Sequence, residues 1–66
     1  MKTLTEFIRE LKETVSTVVL IGERTHWIFN NDDEISQGWA ERFEVVEILS
    51  ENNSSIIARI KYCWND

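Results

Sequence analysis

Two side chains in this sequence have the chemistry of a nucleophile and a base: Cys63 and His26, each the sole residue of its type. Nucleophilic catalysis needs these two within hydrogen-bond reach and a third group that orients the base. Their places in alternating segments allow them to face the same side of neighbouring strands, but no motif surrounds either one. His26 therefore reads as a rim residue beside Trp27, and Cys63 as a small, half-buried filler near the C-terminal end. One cysteine makes no internal disulfide, and one cysteine with one histidine makes no four-ligand zinc site. The run Asn30-Asn31-Asp32-Asp33-Glu34 offers oxygen ligands. It lacks the spaced aspartates, the glycine and the distal glutamate of a calcium loop, so it reads as a turn bearing solvated charge. Paired carboxylates for sugar chemistry need a cleft, which a chain of 66 residues rarely provides. Gly22 and Gly38 are the two glycines, and neither lies in a run that could cradle phosphate. We expect no catalytic residue, no metal, no cofactor and no enzymatic activity.

The charge is more informative than the chemistry. The chain carries a formal −5. Asp32, Asp33, Glu34, Glu41, Glu44, Glu47 and Glu51 are opposed between positions 32 and 51 by Arg42 alone, and the rest of the chain is close to neutral. A field of this kind repels nucleic acid and anionic membranes and attracts basic surfaces. It also keeps a small protein dispersed, which is the plainer reading of an acidic surface. Within that segment Trp39 is the first candidate for an apolar anchor to a partner; ordinary core packing is the competing role for its ring. The apolar run Val18-Val19-Leu20-Ile21 is far short of the roughly 20 residues that span a bilayer, and the N-terminus has no secretory apolar region. A cytoplasmic location is expected.

The elements that must position these residues fit one domain over 1–66. Thr3 through Glu13 reads as a helix: Thr3 and Glu6 have capping-box spacing, and Leu4, Phe7, Ile8 and Leu11 form one apolar stripe. Val15–Ile21 and Arg24–Phe29 read as two strands of a hairpin broken at Gly22-Glu23, with Trp27 and Phe29 on one side and His26 and Ile28 on the other. Residues 35–49 are ambiguous. A helix would align Trp39, Phe43 and Val46 and stack Glu41, Glu44 and Glu47. The Val-Val-Glu-Ile-Leu composition favours a strand over 42–49, with 35–39 as loop or a single helical turn. In that strand Phe43, Val45 and Leu49 face inward, Val46 and Ile48 face outward, Glu47 breaks the alternation, and Glu44 lies on the face opposite Glu41 and Glu47. After the polar loop Ser50–Ser55, Ile56, Ala58, Ile60, Tyr62 and Trp64 alternate with Ile57, Arg59, Lys61 and Cys63, the period of a half-buried strand. The expected fold is α+β: an N-terminal amphipathic helix packed on a small antiparallel sheet of about four strands in two hairpins.

On these grounds the chain reads as a non-enzymatic, acidic protein-binding module. Its role would be an inhibitor or modulator that engages a basic surface on a nucleic-acid-handling enzyme, a nuclease or a toxin. The expected contact residues are Asp32, Asp33, Glu34, Trp39, Glu41, Glu44 and Glu47. In size, charge and lack of chemistry it resembles the small inhibitors that phages and mobile elements encode, DNA mimics among them. That resemblance is to a kind of protein and rests on no motif. Two alternatives stay open. One is a structural or regulatory homo-oligomer pairing through sheet edges. The other, less favoured by the charge, is a nucleic-acid binder that stacks bases on Tyr62 and Trp64 beside Arg59 and Lys61.

Overall fold

A computed structural model describes residues 2–30, 35 and 37–63. In chain order the elements are β1 (Lys2–Thr3), α1 (Leu4–Arg9), β2 (Thr17–Ile21), β3 (His26–Asn30), α2 (Gln37–Ala40), β4 (Phe43–Glu51) and β5 (Ser55–Tyr62). The strands form one sheet in the order β1-β4-β5-β2-β3. The fold is α+β, with both expected hairpins present: β2 with β3 and β4 with β5, each antiparallel. The expectation of a purely antiparallel sheet fails at the junction between them, where β2 and β5 run parallel in register from Thr17↔Ser55 to Ile21↔Arg59. A fifth, two-residue strand, β1, lies antiparallel to β4 at Glu44 and Val45.

The helix begins where the capping pattern places it. Thr3 is the N-cap, and its hydroxyl accepts the Glu6 N–H at 3.2 Å. It ends four residues before Glu13, because the chain tightens after Glu10: Leu11 and Val15 donate to carbonyls three residues back, Ile8 and Lys12. The apolar stripe still does its packing. Leu4 and Phe7 are buried with Val15, Val18, Leu20, Ala40, Val45, Ile56, Ala58 and Ile60 on one face of the sheet, and Ile8 and Leu11 pack at the margin.

Two side-chain and backbone features fix the junction of the hairpins. Asn52 closes the β4–β5 loop: its Oδ1 accepts from the Ser54 N–H at 2.8 Å, the Ser55 N–H at 2.9 Å and the Ser54 hydroxyl at 3.1 Å. This is the local satisfaction of backbone donors for which asparagine is favoured in turns. The Ser54 carbonyl so positioned then accepts from the N–H groups of Ser16 and Thr17, at 2.8 and 3.2 Å, and from the Ser16 hydroxyl at 3.0 Å. One carbonyl thus sets the start of β2 against the start of β5.

Residues 43–51 are a strand, and the break in their alternation has a structural cause. The β4–β5 register shifts between Val45 and Glu47 and again between Ile48 and Ser50. Each shift inserts one extra residue, Val46 and then Leu49, and so reverses the parity of the positions C-terminal to it. Phe43 and Val45 face inward as expected; the next inward position is Ile48, opposite buried Ala58, rather than Leu49.

Candidate protein-interaction surface

With the core, α1 and α2 on one side, the other side of the sheet is uncovered among the described residues. Its composition is set by the register. Val19 of β2 lies between Ile28 of β3 and Ile57 of β5, which makes an apolar row across three strands. Val19 and Ile57 are half-buried and Ile28 is 63% exposed. The next row is His26, Ile21, Arg59 and Glu47. Beyond it Glu44 faces Lys61. The extra residues of the two bulges, Val46 and Leu49, are also exposed. The face therefore combines an apolar centre with a ladder of opposite charges on β4 and β5.

The bulge at Val46 changes where the expected acidic contacts stand. Simple alternation puts Glu44 and Glu47 on opposite faces. In the structure both lie opposite basic residues of one face, Lys61 and Arg59, which flank the buried Ile60. The Glu47 Oε1 and the Arg59 Nε form an ion pair at 3.0 Å, with about half of each side chain in solvent. Such an exposed pair contributes no more than about 1 kcal/mol, and its main effect is to offset charge locally. Glu41 is exposed in the turn after α2. Asp32, Asp33 and Glu34 lie outside the described residues.

Trp39 is half-buried in an aromatic cluster. Its ring centroid is 4.8 Å from that of Phe43, 5.2 Å from Trp27 in an edge-on arrangement, and 6.0 Å from Phe29. Phe43 in turn meets the Tyr62 ring at 5.4 Å. These distances fit favourable aromatic packing and join α2 to β3, β4 and β5. The cluster belongs to the covered side, so Trp39 and the apolar row are on opposite sides of the sheet.

A concavity lies between α1 and β4. It measures about 400 Å³ and is walled by Phe7, Leu11, Val15, Val45, Ile48 and Ile56, with Lys2, Glu10, Lys12, Glu47 and Glu51 on its rim. It exists because α1 stops at Arg9 and β1 covers only two residues of β4, which leaves Ile48 45% exposed on the core side. Lys2 and Glu10 form an ion pair at its mouth.

Other sequence candidates are separated by the topology. His26 on β3 and Cys63 after β5 have β2 between their strands, so the fold does not bring them together. The Cys63 N–H donates to the Arg42 carbonyl at 2.7 Å, a backbone contact that accounts for its half-buried place. Arg59 and Lys61 lie on the uncovered face, whereas Tyr62 turns to Phe43 on the other, and Trp64 is outside the described residues. Among the described residues no group of three or more His, Cys, Asp or Glu is disposed to hold a metal, and no helix is long and apolar enough to cross a membrane. The sequence reading missed the apolar row. Its signal was there in Val19, Ile28 and Ile57, but the adjacency of Val19 and Ile57 depends on the parallel junction.

Comparison with known proteins gives no relative: no family model, curated protein or solved structure matches the chain significantly.

Proposed function

We propose that this chain is a small, non-enzymatic protein-binding module of the cytoplasm that docks the uncovered face of its sheet on a partner with a basic surface. The observation that carries the reading is the row Ile28–Val19–Ile57, exposed at Ile28 and half-buried at Val19 and Ile57 on a domain too small to spare apolar surface. The acidic β4 flanks this row. Glu44 and Glu47, with exposed Glu41 nearby in sequence, outnumber the two basic residues of β5. In such an arrangement the charge raises the encounter rate with a basic partner, and the apolar row supplies affinity. An inhibitor or modulator of a nucleic-acid-handling enzyme, nuclease or toxin fits this pattern, because those proteins present basic surfaces.

The test is affinity capture with identification of the partner, run on two sets of variants. One set reverses Glu41, Glu44 and Glu47 to lysine; the other replaces Val19 and Ile57 with threonine, which keeps β-branching while removing apolar surface. A basic protein retained by the native chain and lost by both folded variants supports the proposal. Equal retention by the threonine variant overturns the docking face, and equal retention by the lysine variant overturns the role of charge.

A further inference from the structure

The two edges of the sheet are treated differently. On one side β4 is capped at Glu44 and Val45 by β1, carries three glutamates and is kinked by two register shifts. Charges, bulges and a short covering strand are the devices by which proteins keep an edge from pairing. On the other side β3 reads His-Trp-Ile-Phe-Asn, with no Asp, Glu, Lys or Arg, no proline and no register shift against β2.

The hydrogen-bond phase of β3 decides what this edge offers. The Gly22 N–H donates to the Thr25 carbonyl at 2.8 Å, which fixes positions 22 and 25 as a bonded pair. In an antiparallel ladder bonded and non-bonded pairs alternate. From the observed register, Trp27 and Phe29 bond to Leu20 and Val18, while the N–H and C=O groups of His26 and Ile28 point away from β2. No strand lies along that side among the described residues.

We propose that β3 pairs antiparallel with β3 of a second copy of this chain, about a twofold axis at Ile28. The strand is self-complementary in that register. Ile28 meets Ile28 as the hydrogen-bonded pair, and His26 meets Asn30, so no formal charges are opposed even though each chain carries −5. On the covered side Trp27 falls opposite Phe29 of the other copy, twice by symmetry, and aromatic cross-strand pairs of this kind are among the favourable ones. On the uncovered face the row Ile28–Val19–Ile57 runs on into its symmetry mate. A foreign strand would use the same backbone groups but has no such matching imposed by the twofold.

Sedimentation of the full chain across a concentration series tests this, with Ile28→Pro as the variant. Proline at 28 removes an N–H that bonds nothing among the described residues of one copy, a position that edge strands tolerate. The native chain should rise in mass from 7.8 kDa towards twice that value as concentration increases. Ile28→Pro should stay at 7.8 kDa with an unchanged near-ultraviolet signal from its tryptophans. If the proline disturbs that signal, Ile28→Lys serves instead, since it sets like charges directly opposite each other on the axis. A native chain that stays monomeric up to millimolar concentration overturns the proposal, as does a dimer that survives in a folded Ile28 variant. The lysine and threonine capture variants leave Ile28 intact, so the two proposals can fail separately.

Discussion

Asn52 holds the loop whose neighbouring carbonyl sets the hairpin junction, and its replacement by alanine tests that chain of dependence. The side-chain oxygen accepts two backbone N–H groups and one hydroxyl, all in a solvent-exposed loop where water can substitute. A capping side chain of this kind is worth roughly 0.5–2 kcal/mol, and each net hydrogen bond about 0.5–1.5. Because water satisfies part of the loss, we expect Asn52→Ala to cost about 1–2 kcal/mol in total. For a domain of this size that lowers Tm by roughly 5–15 °C, measured by circular dichroism or tryptophan fluorescence. Asn52→Asp keeps the acceptor and should recover most of the loss. The distinctive readout is amide hydrogen exchange. The Ser16 and Thr17 N–H groups bond to the Ser54 carbonyl from the other hairpin, so their protection should fall with the alanine variant more than that of α1. Equal destabilisation by alanine and aspartate, or unchanged exchange at Ser16 and Thr17, would refute the proposed role of the loop.

Thr5 provides a prediction of opposite sign: its hydroxyl is buried without a hydrogen-bond partner, so Thr5→Val should stabilise the chain by about 1 kcal/mol in denaturant titration. A destabilised Thr5→Val would mean that the hydroxyl has a partner after all. Trp39→Ala should cost about 2–3 kcal/mol, below the usual range for a fully buried tryptophan because the ring is half-exposed, and should weaken the near-ultraviolet signal of the Trp27–Trp39–Phe43 cluster. Full native stability combined with lost partner capture would instead make Trp39 the anchor that its place in the acidic segment suggests.

The parts of the fold that were legible in the sequence are those specified within a few residues. The Thr3 cap, the Leu4–Phe7–Ile8–Leu11 stripe and the alternation of Ile56, Ala58 and Ile60 all report local geometry, and the structure contains each of them. The parallel pairing of β2 with β5 was not legible, since it rests on the Ser54 carbonyl reaching Ser16 and Thr17 across 38 positions. The bulges on β4 were half-legible. Glu47 announced a break in the pattern, but only the partner strand shows that the inserted residues are Val46 and Leu49. That shift also decides the candidate surface, because it sets Glu44 and Glu47 on one face and pairs them with Lys61 and Arg59. Alternation counted along a single strand cannot supply a residue that its neighbour skips.

The strand order also has a consequence for how the chain comes to be folded during its synthesis. β5 is the last of these strands to be made, yet it lies at the middle of the sheet, bonded to β4 on one side and β2 on the other. Until it leaves the ribosome, the first hairpin and β4 have no common neighbour, and their apolar sides wait uncovered. A nascent chain of this topology stays open to chaperones and proteases until its central strand is made, and its sheet closes only when that strand arrives.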